Sequence, residues 1–262
     1  MQSFHHFVCL SGLPRTGTTL LSAILSQNPT IHAEGNSPVC QLMWEMCKSV
    51  TNCKEQLRAN NKEYLVFDLI SQIPHIYYKN ITEQIVVDKC RSWTVDTNYQ
   101  LAKHCINQNL KVIVMVRPII DIITSFAKLY IKNGITGETL ENYLLQLLEP
   151  GGEPVMRSLD GVKNAMKQNN ESTFLFVRYD DLINNPKHTI ERIYSFCGWK
   201  SFEHNFDNIQ MKYPENDEVY GLKGFHEIRK TIQKDIVKPE KILSKKVIEI
   251  CKNNELVCTN YL

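Results

Sequence analysis

Residues 7–25 read Phe7-Val-Cys-Leu-Ser-Gly-Leu-Pro-Arg-Thr-Gly-Thr-Thr-Leu-Leu-Ser-Ala-Ile-Leu25. An apolar run of strand length enters a turn punctuated by Gly12, Pro14 and Gly17 and leaves it as an apolar helical segment. Gly12 and Gly17 have the spacing of a P-loop, in which backbone N–H groups and a helix N-terminus offer positive partial charge to a phosphate. The lysine that should follow the second glycine is replaced by Thr18, and Arg15 is the loop's one basic side chain. A cradle that keeps its amides but lacks the residue reaching β- and γ-phosphates points to a nucleotide that is not a triphosphate.

The 262 residues, 43% of them hydrophobic, can bury one substantial core, and one domain over 1–262 is expected. A net charge of only +2 argues against the broad basic field of a nucleic-acid binder, so anion recognition falls to local clusters. The nine cysteines show neither a C-x-x-C pair nor zinc spacing, and their odd number disfavours a closed disulfide framework. They read as reduced thiols, and no metal site is expected. No run approaches the roughly twenty apolar residues of a membrane span, and the opening Met1 to His6 lacks a signal-peptide pattern. The expectation is a soluble, cytoplasmic chain.

Four apolar runs, Phe7 to Ser11, Glu83 to Asp88, Lys111 to Val116 and Thr173 to Val177, read as strands, with Thr30 to Ala33 as a candidate fifth. They alternate with segments of helical period. That pattern predicts an α/β, P-loop-type three-layer fold with a central parallel sheet of four or five strands flanked by helices, plus helical insertions. Val39, Leu42, Met43, Met46, Cys47 and Val50 recur at helical steps and predict an insertion packing over the site. Further helices are expected at Ile119 to Lys132, opened by Pro118, and at Leu140 to Leu148, Val155 to Gln168, Pro186 to Phe196 and Pro239 to Cys251. Tyr213 to Lys234 has little periodicity and reads as a long surface loop, a length that is uncommon unless functional or disordered.

The strand Lys111 to Val116 ends directly in Arg117, followed by Pro118, Asp121 and Ser125. P-loop nucleoside triphosphatases place a magnesium-holding aspartate at the end of such a strand. A cation there, in the crevice where open α/β sheets bind ligands, fits a second anionic group on the nucleotide. Ser125 lies eight residues along the predicted helix, roughly 80° and 12 Å away. A long arginine side chain folding along the helix must close that gap.

Pro14-Arg-Thr-Gly-Thr-Thr-Leu20 and Val116-Arg-Pro-x-x-Asp-x-x-x-Ser125 together resemble the 5′-phosphosulfate loop and the 3′-phosphate motif of sulfotransferases dependent on 3′-phosphoadenosine 5′-phosphosulfate (PAPS). The likeness is closest to the Pro-Arg-Ser-Gly-Thr-Thr branch, which includes tyrosylprotein sulfotransferases and many bacterial enzymes. It extends through Val87-Asp-Lys89, Phe176 to Leu182 with Asn185-Pro186, and Phe196-Cys-Gly-Trp199. The resemblance implies metal-free, in-line transfer of a sulfuryl group from PAPS to a hydroxyl or amine. Arg15, Thr16, Gly17, Thr18 and Thr19 would hold the 5′-phosphosulfate, and Arg117 and Ser125 the 3′-phosphate. Lys89 matches a lysine on the transferring sulfuryl group. Lys223 and Gly224 would close over the 3′-phosphate, and Tyr179 would pack near the nucleotide or fill core.

The proton-accepting position of the tyrosylprotein branch falls on Asn36, which leaves Glu34 as the carboxylate candidate and His32 and His75 as weaker ones. The acceptor pocket is expected from Ser37 to Tyr78 and Leu140 to Gln168. Its residues do not distinguish carbohydrate, lipid, peptide tyrosine or small molecule. Two other readings stay open: a P-loop kinase using magnesium ATP, opposed by Thr18 and Arg117, and a non-catalytic nucleotide-binding interaction protein.

Overall fold

The structure, a computed structural model, describes residues 6–168, 170–233 and 237–256. Five strands, β1 (His6–Gly12), β2 (Ile31–Asn36), β3 (Ile85–Lys89), β4 (Lys111–Val116) and β5 (Phe174–Arg178), form one parallel sheet in the order β2-β3-β1-β4-β5. The candidate strand at Thr30 to Ala33 is thus the sheet's fifth and runs on to Asn36. The helices are α1 (Thr18–Leu25), α2 (Val39–Asn52), α3 (Lys54–Ala59), α4 (Leu65–Tyr77), α5 (Asp96–Cys105), α6 (Ile119–Lys132), α7 (Gly137–Leu147), α8 (Met156–Lys167), α9 (Tyr179–Asn184), α10 (Pro186–Cys197) and α11 (Lys245–Asn253).

Alternation along each strand builds the three layers. Phe7, Cys9, Val112, Val114 and Phe176 enter one core with buried residues of α2, α5, α6 and α8. Val8, Leu10, Ile113, Met115 and Val177 enter the other with α1 and α10. In α6, Ile119, Ile122, Ile123, Phe126 and Ala127 form the buried stripe that its sequence period required. The expected helical insertion between β2 and β3 comprises three helices, and its buried residues Val39, Cys40, Met43 and Ile70 pack into the core beside the sheet rather than over the cleft. The helix expected over Pro239 to Cys251 starts later, at Lys245, because the Ser244 hydroxyl accepts from the Val247 N–H and caps it there.

Apart from a 3-10 turn at Asp217–Tyr220, the described part of the 213–234 stretch carries no helix or strand. Lys234, like the opening residues Met1 to His5, lies outside the described residues. Among the described residues no helix is long and apolar enough to cross a membrane.

A buried carboxylate at the end of β3 ties these layers beside the site. Asp88 is fully buried and accepts from Ser37 Oγ, Tyr78 Oη at 2.7 Å and Trp93 Nε1 at 2.7 Å. It therefore joins the turn before α2, the end of α4 and a 3-10 turn at Arg91–Thr94 to the central sheet. Burial raises its pKa, and the three donors oppose that shift. Removing the carboxylate strands three buried donors, each at a desolvation cost of about 1–3 kcal/mol. Asp88→Ala should lower the unfolding free energy by about 3 kcal/mol or more in urea titration; a loss below about 1 kcal/mol would contradict this role.

Candidate active site

The carboxyl ends of β1, β3, β4 and the start of α9 open into a cleft of about 630 Å³. Its position follows from strand order: the connection from β1 through α1 runs to β2, that from β3 through α5 runs to β4 on the other side of β1, and a crevice opens where they part. Gly12 is required there, because it has φ +130° and an added Cβ would sit 2.1 Å from the Met115 carbonyl oxygen. Gly17, at φ +83°, begins α1 and passes so close to the Tyr179 ring that a Cβ would approach it to 2.9 Å.

Arg15, itself left-handed at φ +60°, reaches across the cleft mouth. Its Nε donates to Ser125 Oγ at 3.1 Å, and its Nη1 donates to the Phe225 carbonyl. Arg117 Nη1 donates to the Arg15 carbonyl at 3.0 Å, and its guanidinium lies 4.1 Å from the Tyr179 ring centroid. Burial and then the adjacent Arg117 cation pull the Arg15 pKa down, so the two guanidinium groups repel across a desolvated space. Arg117 Nε is buried and has no hydrogen-bond partner among the described residues, although Asp121 Oδ2 forms an ion pair with it at 4.0 Å. An unsatisfied buried donor beside a second cation is a fitting receptor for a phosphate. The Arg117-to-Ser125 gap is thus bridged by Arg15 rather than by Arg117.

Lys89 is 4% exposed, and its Nζ donates to Thr19 Oγ1 at 3.2 Å and to Glu215 Oε2 at 3.3 Å. Burial lowers its pKa, against the attraction of Glu215. Burial alone would raise the Glu215 carboxyl, but Lys89 and His226 outweigh it and the net shift is downward. Asn36 Nδ2 lies 3.3 Å from Glu215 Oε1 and 3.2 Å from His226 Nε2. Gly35 makes this possible, since a Cβ there would fall 2.2 Å from Glu215 Cδ.

Gly17, Thr18, Thr19, Lys89, Arg117 and Ser125, all expected at the site, line the cleft, as do Arg15, Tyr179 and Gly224. Three of the expected side chains lie away from the cleft in this structure. The Thr16 side chain is fully buried and donates to the Leu13 carbonyl at 2.6 Å, so it closes the turn instead of facing the cleft. Glu34 pairs with His32 at 3.2 Å and lines a separate small crevice with Lys212 and Tyr213. Lys223 is exposed, and its backbone N–H donates to Asn133 Oδ1 at 2.9 Å; its neighbours Phe225 to Arg229 form the cleft wall. No residue of 37–78 or of 140–168, the two regions expected to build the acceptor pocket, lines the cleft.

Glu215, Asp217 and His226 escaped the sequence reading. They lie in an aperiodic stretch where no spacing rule flags them, and the only signal was the length of that stretch.

Residues 6–252 match the family model for the sulfotransferase domain. The chain belongs to the sulfotransferase family and is a PAPS-dependent sulfotransferase. Its fold is similar to that of the sulfotransferase domain from the Synechococcus PCC 7002 olefin synthase, with a TM-score of 0.56 and 18% identity over 95% of this chain and 93% of that one. A sulfotransferase from Alicyclobacillus acidocaldarius is similar at a TM-score of 0.54 and 12% identity, over 84% of this chain and 90% of the other. No curated protein sequence matches significantly.

The segment that walls the cleft is anchored at its start by Glu83, whose Oε1 accepts from Lys212 Nζ and Tyr213 Oη, each at 2.9 Å. Burial pushes this carboxyl up, but the hydrogen bonds led by Lys212 outweigh it and hold its pKa at about 2. A depressed carboxylate contributes stability that is complete above its ordinary value near 4.5 and is lost as pH falls toward about 2. The wild-type melting temperature should therefore drop more steeply than that of Glu83→Gln on acidification from pH 5 to pH 3. Parallel drops would refute the anchor.

Proposed function

We propose that the cleft binds PAPS with its 5′-phosphosulfate on the 12–19 loop and its 3′-phosphate between Arg117 and Ser125, and transfers the sulfuryl group to a hydroxyl or amine acceptor. One observation carries this reading: Arg15 and Arg117 stand against each other in a half-buried space, one of them with an unsatisfied N–H, in a family whose donor is charged at both ends. Gly17, Thr18 and the N-terminus of α1 suit the 5′-phosphate, and Tyr179 supplies an aromatic surface beside it.

Lys89 is the cation best placed for the sulfuryl oxygens, since its Nζ already holds both Thr19 of the loop and a carboxylate oxygen. Charge that develops on the bridging oxygen during transfer is met by fixed cations and amides, which need no reorganisation. Side-chain cations supply the charge, so the transfer is read as metal-free. Thr18 and Arg117 stand where a kinase needs its phosphate lysine and its magnesium aspartate, which disfavours ATP as donor.

We place the activity in one domain over 1–262 and, from the abundance of unpaired thiols among the described residues, in a reducing compartment such as the cytoplasm.

Calorimetry with adenosine 3′,5′-bisphosphate in EDTA tests the assignment. Arg15→Ala and Arg117→Ala should each weaken binding about tenfold to a hundredfold, the worth of a charge-assisted hydrogen bond. Lys89→Ala should keep the bisphosphate affinity within about threefold while sulfuryl transfer falls at least about a hundredfold. Unchanged affinity in both arginine variants would overturn the assignment.

A further inference from the structure

The cleft holds a histidine–carboxylate pair that none of the roles above uses. Resting on the sulfotransferase reading, we propose that His226, oriented by Asp217, is the base that takes the proton of the acceptor. His226 is 8% exposed although it belongs to a mostly exposed segment, and it lines the cleft beside Lys89 and Asn36. Asp217 holds it twice: Oδ2 accepts from the His226 backbone N–H at 2.9 Å, and Oδ1 accepts from Nδ1 at 2.7 Å. A proton on Nδ1 leaves the lone pair on Nε2.

Asn36 points to the same tautomer. Its Nδ2 donates to Glu215 Oε1 at 3.3 Å, which sets the amide's orientation, and presents the other N–H to His226 Nε2 at 3.2 Å. The lone pair is thus held by the Asn36 N–H at the cleft wall, and an acceptor hydroxyl must displace that N–H to reach it.

Glu215 marks where an acceptor oxygen fits. Its Oε2 is 3.3 Å from Lys89 Nζ and 3.7 Å from His226 Nε2. An oxygen within reach of the sulfuryl-holding lysine and of an unprotonated imidazole nitrogen has the geometry that proton transfer requires. In the reaction the acceptor oxygen forms its bond to sulfur while the bond from sulfur to the bridging 5′-phosphate oxygen breaks and that oxygen keeps the electron pair. The acceptor proton passes to Nε2, and the resulting imidazolium is paired with Asp217. Glu215 must give up its place at Lys89, and the Asn36 N–H its place at Nε2, for this to happen, and the Glu215 carboxylate, kept ionised by Lys89, is the weaker base.

Groups facing the ring are Asp217, Glu215 and Tyr220 from its own segment and Lys89 from β3. Burial, only partly opposed by Asp217 and Glu215, sets the imidazole pKa below 6.5, so at neutral pH the ring is an available base.

The test uses the full chain and labelled PAPS, scoring transfer to water and to a panel of alcohols, phenols and amines, with bisphosphate affinity measured in parallel. His226→Gln should bind adenosine 3′,5′-bisphosphate within about twofold of wild type yet transfer about a hundredfold more slowly. The limb of the pH–rate profile that rises below pH 6.5 should disappear. Asp217→Asn should lose about tenfold and move that limb to lower pH, whereas Glu215→Gln should retain it. Wild-type rates and an intact limb in His226→Gln would overturn the proposal. So would a limb lost only in Glu215→Gln, or a wild-type chain that binds the bisphosphate but transfers to nothing. Failure of wild type to bind the bisphosphate would instead sink the nucleotide assignment, and this inference with it.

Discussion

The architecture of the site depends on two guanidinium groups held against each other at the carboxyl end of the sheet. Arg15 is locked into a left-handed turn by the glycines and the buried Thr16 around it, and Arg117 is delivered by the end of β4. Their contact through the Arg15 carbonyl, and the Tyr179 ring under Arg117, keep two like charges close in a partly dry space. Such repulsion costs folding free energy that a dianionic ligand relieves, which is a general way to prepare an anion site in advance of the anion.

The 213–233 segment is the second determinant, and its attachments explain its course without regular secondary structure. Phe225 meets Arg15 through its carbonyl and ring, Glu227 pairs with Lys132, and the Lys223 backbone is held by Asn133. These contacts are with the phosphate loop and with α6, the two elements that bracket the nucleotide site. A segment fastened to both places Glu215, Asp217 and His226 over Lys89. Surface ion pairs such as Lys132 with Glu227 are individually weak, so the segment can yield to substrate without disturbing the core.

Much of this was legible in the chain itself. The parallel sheet followed from apolar runs that alternate with helical period, and the phosphate loop from Gly12 and Gly17 between strand and helix. Arg117 was conspicuous because it ends a buried strand. Side-chain direction was less accessible. Thr16 and Thr19 look equivalent in sequence, yet one hydroxyl turns inward to Leu13 and the other meets Lys89. Glu34 sits two residues from Asn36, and the irregular register of β2 after Ala33 sends the amide, not the carboxylate, to the cleft. Asp88 read as part of a strand, and its three donors come from segments that only the fold brings together. Glu215 and His226 had no periodic pattern to reveal them, since an aperiodic stretch is organised by tertiary contacts alone.

The central claim, that the 12–19 loop and the Arg117–Ser125 pair hold the two phosphates of one donor, is tested most directly by a crystal structure with adenosine 3′,5′-bisphosphate bound. The account predicts the 5′-phosphate against the amides of Gly17 and Thr18 and the 3′-phosphate in contact with both Arg117 and Ser125. A 3′-phosphate facing solvent, or lodged away from Arg117 while the 5′-phosphate fills the loop, would contradict it.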